Sequence, residues 1–89
     1  MPLADAPISV LVVDDEEPIR NALKKFLNQQ GYDVLTAPSG DEALRILQRQ
    51  KISVVLLDVR MPGKSGIDLV PLLLELEPSV AILMLTAVN

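Results

Sequence analysis

Ile52-Ser53-Val54-Val55-Leu56-Leu57-Asp58-Val59-Arg60-Met61-Pro62-Gly63 is an apolar run that ends in one carboxylate and then turns at once. A near-continuous hydrophobic run reads as a strand buried on both faces of a parallel sheet. In an open α/β sheet the ligand crevice lies outside the carboxyl ends of the strands. Asp58 therefore stands where chemistry would be done, although a loop aspartate alone can equally be a structural cap.

An earlier run repeats the pattern: Ile8-Ser9-Val10-Leu11-Val12-Val13 leads straight into Asp14-Asp15-Glu16-Glu17. If the two strands are parallel neighbours, this acidic cluster and Asp58 converge on one edge of the sheet. Crowded carboxylates repel one another unless something positive sits among them, and hard divalent cations prefer oxygen ligands. That favours a site over a cap and points to a magnesium pocket. Glu16 and Glu17 have a simpler explanation, because acidic residues in a first helical turn are stabilised by the helix dipole. Both read as structural or peripheral.

The first strand is expected over about residues 8–13. Pro18 suits a first helical turn, and Ile19, Ala22, Leu23, Phe26 and Leu27 follow at helical spacing until Gly31 stops the helix. Tyr32 to Ala37 reads as a second strand closed by Pro38. Ser39-Gly40-Asp41-Glu42 is a capping-box pattern ahead of Ala43, Leu44, Ile46 and Leu47, so a second helix runs to about Gln50. The Asp58 run is the third strand. After a Met61–Gly66 loop, Ile67, Leu69, Val70, Leu73, Leu74 and Leu76 suggest a third helix that Pro78 ends. Pro71 falls inside it, so this helix is either kinked or begins later than its pattern suggests. Val80 to Ala87 makes a fourth buried strand.

The order β-α-β-α-β-α-β implies a doubly wound, flavodoxin-like α/β fold with a parallel sheet and right-handed crossovers, expected strand order 2-1-3-4. Residues 1–7 read as a loose leader and 8–89 as one domain. Strand-helix units of about 22 residues leave room in 89 residues for only four strands and three helices. The sheet would then have one face thinly covered, an unfinished fold.

A net charge of −4 with no basic run argues against direct nucleic-acid contact. The absence of histidine excludes a histidine base, an imidazole ligand and a phosphohistidine on this chain, and the absence of cysteine fits a reducing compartment. No signal-peptide pattern or bilayer-length apolar stretch is present, so the segment reads as soluble and cytoplasmic, without membrane contact. A mononucleotide-binding half-domain is disfavoured because no Gly-rich turn follows the first strand. A phosphohydrolase would want an acid near its nucleophile, and Asp58-Val59-Arg60 supplies none.

Val12-Val13-Asp14-Asp15-Glu16, then Leu56-Leu57-Asp58-Val59-Arg60-Met61-Pro62-Gly63-Lys64-Ser65-Gly66, then Leu83-Met84-Leu85-Thr86-Ala87, in this order and spacing, resembles the receiver domain of two-component response regulators. The resemblance runs from Ile8 onward. It implies a signalling domain rather than a classical enzyme, a phosphoprotein of a phosphorelay, with Asp58 accepting a phosphoryl group from a sensor histidine kinase or a small phosphodonor. It implies that Asp15 ligates magnesium directly and Asp14 mainly through water, with Asp58 and the Arg60 backbone carbonyl completing the metal set. Thr86 would hydrogen-bond a phosphoryl oxygen, although by itself it reads equally as a strand former. The Arg60 side chain and Lys64 are most simply solvated loop charges.

The family also uses a lysine at the end of a fifth strand and an aromatic residue on that strand, and both would lie beyond Asn89. On the resemblance, 8–89 is the N-terminal part of a receiver domain without its last helix-strand-helix portion, and its phosphotransfer is expected to be impaired. The rival reading is an interaction module that forms a homo-oligomer through the exposed sheet face or the edge of the fourth strand, without switching.

Overall fold

The computed structural model describes residues 7–61 and 65–85. Its elements are β1 (Ser9–Val13), α1 (Glu17–Gln29), β2 (Asp33–Ala37), α2 (Gly40–Arg49), β3 (Val54–Asp58), α3 (Gly66–Leu76) and β4 (Ala81–Leu85). The strands form one parallel sheet in the order β2-β1-β3-β4, as the alternation of runs predicts. The expected leader before residue 7, Pro62 to Lys64, and the end of the fourth strand from Thr86 lie outside the described residues.

Strand alternation splits the core in two. Leu11 and Val13 of β1 and Val55 and Leu57 of β3 face α2 and α3, where they join Ala37, Ala43, Leu47, Ile52, Leu69, Leu73 and Val80. The opposite parity, Val10, Val12 and Val34, packs beneath Leu23 and Leu27 of α1, with Val54 and Leu56 at the margin. One helix therefore serves one face and two serve the other, the thin coverage expected from the element count.

The stripe on α1 is used only in part. Leu23 and Leu27 are half-buried, but Ile19 and Phe26 remain 40% and 56% exposed. The helix lies over β2 and β1, so among the described residues the same side of β3 and β4 is left open. Val10, Leu27, Tyr32, Val54, Leu56 and Leu83 line a groove of about 210 Å³ there.

The helix ends follow their local chemistry. Ser39 Oγ accepts from the Glu42 backbone N–H at 3.2 Å, the expected cap of α2. Ser65 caps α3 the same way, accepting from the Asp68 N–H at 3.3 Å and donating its hydroxyl to Asp68 Oδ2 at 3.2 Å. Gly31 ends α1 at φ 96°, a left-handed conformation that glycine adopts without a Cβ clash.

Pro71 does not delay α3, which starts at Gly66 and continues through it. That excludes a later start. The proline lacks the N–H that would bond the Ile67 carbonyl, a defect worth about 3 kcal/mol in a helix interior. Burial of Leu69 and Leu73, both fully inaccessible, contributes about 1.5–3 kcal/mol each and offsets it.

Candidate functional site

β1 and β3 are hydrogen-bonded neighbours with Val13 opposite Leu57. Asp14, the residue after β1, and Asp58, the last of β3, therefore emerge side by side at the carboxyl edge of the sheet. The convergence expected from the two apolar runs follows directly from that register.

Asp14 is the buried member, 4% exposed. Its N–H donates to the Ala37 carbonyl at the end of β2 at 3.1 Å, its Oδ1 accepts from the Glu16 N–H at 2.9 Å, and its own carbonyl accepts from Arg20 Nη1 at 2.8 Å. Burial raises the Asp14 carboxyl above the ordinary aspartate range, and the nearby Asp58 and Asp15 charges raise it further. The Glu16 N–H and the Arg20 guanidinium act against that rise.

Asp15 and Glu16 are exposed, and carboxylate oxygens of Asp14, Asp15 and Glu16 all lie within 4.8 Å of one another. Glu16, read from the sequence as structural or peripheral, thus stands in the cluster as well as at the N-cap of α1. The donor set is anionic and made of oxygen, the kind hard divalent cations take. These residues fit a magnesium ion.

Asp58 is half-buried, and its Oδ1 accepts from the Arg60 N–H at 3.1 Å. Val59 N–H donates to the Leu85 carbonyl at 3.2 Å, tying the end of β3 to β4. The start of α3 presses against the same segment: Gly66 N–H donates to the Val59 carbonyl at 3.1 Å, and a Cβ at Gly66 would overlap the Asp58 carbonyl oxygen. A glycine is needed there because helix and acceptor strand touch backbone to backbone.

Asp14, Asp15, Asp58 and Arg60 are thus gathered at one edge, whereas Thr86 and Lys64 lie outside the described residues. Arg20 was not singled out from the sequence. Its signal is a cation six positions after Asp14, on the first turns of the helix that follows. Among the described residues no helix is long and apolar enough to cross a membrane.

The model of the family described as "Response regulator receiver domain" matches residues 10–89. The alkaline phosphatase synthesis transcriptional regulatory protein PhoP of Bacillus subtilis is 44% identical over 78 residues, 88% of this chain and 32% of PhoP. The chain spans about a third or less of the length of the curated relatives it matches.

Among solved structures, a Burkholderia pseudomallei response regulator with a phosphorylated aspartic acid, calcium ion and citrate aligns with TM-score 0.86 at 33% identity, over 92% of this chain and 48% of that one. Thermotoga maritima TrrA, in complex with Mg2+ and BeF, aligns with TM-score 0.85 at 38% identity, over 92% of this chain and 71% of its own. With the family match covering nearly all of the sequence, the chain belongs to the response regulator receiver domain family.

Proposed function

We propose that this segment is a phosphoacceptor domain of a cytoplasmic two-component system, modified on Asp58. The observation that carries the reading is the placement of Asp58 at the end of a core strand beside the buried Asp14 and its acidic neighbours. A structural relative that carries a phosphorylated aspartic acid supports it.

In the proposed reaction a carboxylate oxygen of Asp58 forms a bond to phosphorus as the bond from phosphorus to the donor breaks. The electron pair leaves with the donor group, either a histidine nitrogen of a sensor kinase or the oxygen of a small phosphodonor. A magnesium ion, when bound, screens the like charges of nucleophile and phosphoryl group and orients the oxygens. Asp15 would hold it directly, Asp14 through water, and Asp58 and the Arg60 carbonyl would complete the set. The Arg60 N–H bond to Asp58 Oδ1 fixes the carboxyl's rotation and leaves Oδ2 as the oxygen not engaged by that bond. Thr86 would contact a phosphoryl oxygen. The domain signals and is not an enzyme acting on an external substrate.

Incubation with magnesium and a small phosphodonor, followed by intact mass, tests the reading. Wild type is expected to gain one phosphoryl group and Asp58→Asn none.

A second reading, self-association, is favoured by the open face of β3 and β4, where Leu83 is 55% exposed beside the apolar groove. Sedimentation checks it: a monomer at micromolar concentration removes this reading and leaves the first intact.

A further inference from the structure

Asp15 follows a residue whose backbone is held on every side. The Asp14 N–H is bonded to Ala37 and its side chain to the Glu16 N–H, while the Asp14 carbonyl points at Arg20 Nη1, 2.8 Å away. That carbonyl belongs to the peptide joining Asp14 to Asp15. A peptide unit is planar, so fixing the direction of its oxygen also fixes the Asp15 N–H and the start of the Asp15 Cα. The direction in which the exposed Asp15 side chain leaves its Cα is therefore set by backbone held on both sides, at Asp14 and at Glu16.

We propose that Arg20 is a positioning residue: by clamping the Asp14–Asp15 peptide from α1, it aims the Asp15 carboxylate into the acidic cluster and so sets the affinity for the divalent cation. The proposal rests on the metal-dependent phosphoacceptor reading above and names a determinant of that same site.

Two facts favour a clamp over a simple counter-charge. The guanidinium is bonded to a main-chain carbonyl and forms no ion pair with the Asp14 carboxylate among the described residues. Arg20 is also half-buried, on the helix that begins directly after the cluster, so its reach to that carbonyl is set by the packing of α1 on β1 and β2. The competing effect has the opposite sign, because a cation beside the pocket repels a second cation. Deleting Arg20 as a mere charge would tighten magnesium binding, whereas deleting it as a clamp weakens it.

The test is calorimetric titration of Mg2+ alone into wild type, Arg20→Met and Arg20→Lys at fixed ionic strength, with far-UV circular dichroism confirming the folded state. The clamp predicts that Arg20→Met weakens the magnesium Kd by about tenfold, as loss of outer-shell partners commonly does. Arg20→Lys keeps one donor and recovers part of the loss. Equal or tighter binding by folded Arg20→Met overturns the proposal. If Arg20→Met does not fold, Arg20→Lys decides: weaker binding than wild type supports the clamp and equal binding overturns it. Failure of wild type to bind Mg2+ overturns the metal reading and the clamp with it. A wild type that binds beside an indifferent Arg20→Met overturns the clamp alone.

Discussion

Replacing Asp14 by asparagine should stabilise the metal-free protein and weaken its response to magnesium. Asparagine keeps the side-chain oxygen that accepts the Glu16 N–H, so the turn after β1 is preserved while one buried negative charge is removed. With carboxylate oxygens of Asp14 and Asp15 within 4.8 Å, Coulomb's law gives about 1 kcal/mol of repulsion in water and about 3.5 kcal/mol at an effective dielectric near 20. Asp15 is exposed, so the lower figure applies, and about 1 kcal/mol raises the melting temperature of a domain this small by about 4–8 °C.

The pH dependence has a definite sign. Burial and neighbouring charge lift the Asp14 carboxyl above its unfolded value, so the folded state holds this proton to higher pH. The destabilisation is fully present above the folded value, shrinks as pH falls between the two, and is gone below the unfolded one. The gap between wild type and Asp14→Asn should therefore close on acidification. Magnesium should reverse the ranking at pH 7, because a ligand at ten times its Kd adds about 1.4 kcal/mol to the form that binds it. Thermal unfolding by circular dichroism, at pH 7 and in acid, with chelator or magnesium, reads all of this. A lower melting temperature for Asp14→Asn in chelator at pH 7 would refute the reasoning.

Three further outcomes follow from the packing. Gly66→Ala should cost about 1–3 kcal/mol and slow labelling of Asp58, since a methyl there drives into the acceptor's own carbonyl; urea unfolding and mass spectrometry check the two halves. Ser39→Ala should cost about 1 kcal/mol through loss of the α2 cap and leave the magnesium Kd unchanged by calorimetry. Pro71→Ala, at an exposed site inside α3, should raise stability in urea by about 1 kcal/mol or more by restoring a helix hydrogen bond.

β1 and β3 were legible as short aliphatic runs between turn residues, the sequence form of a buried parallel strand; β4 has the same form and was expected to be buried, yet at the edge of the sheet its Leu83 and Met84 stay exposed. The adjacency of Asp14 and Asp58 came with the sheet, since order 2-1-3-4 makes their strands neighbours. Spacing alone marks the cap at Ser39, whereas Ser65 has the same role in a stretch whose spacing has the form of a loop. Periodicity marked the apolar stripe of α1 but not its use: Ile19 and Phe26 match the pattern yet stay exposed, because among the described residues the helix packs mainly on β2 and β1. Pro71 left two possibilities for α3, and helix propensity could not choose between them. Burial of Leu69 and Leu73 did. Arg20 escaped because a lone cation on an amphipathic helix looks solvated until the fold brings a carbonyl to it. The roles of Asp58, Asp14, Asp15, Arg60 and Thr86 are a matter of chemistry, which placement does not supply.

The most direct test is peptide mapping by mass spectrometry after reaction with magnesium and a small phosphodonor, on wild type and Asp58→Asn in parallel. The account predicts one phosphoryl group on the wild-type peptide that carries Asp58, dependent on magnesium, and none on the variant. A phosphoryl group that persists in Asp58→Asn, or that maps to another carboxylate of the cluster, would contradict it.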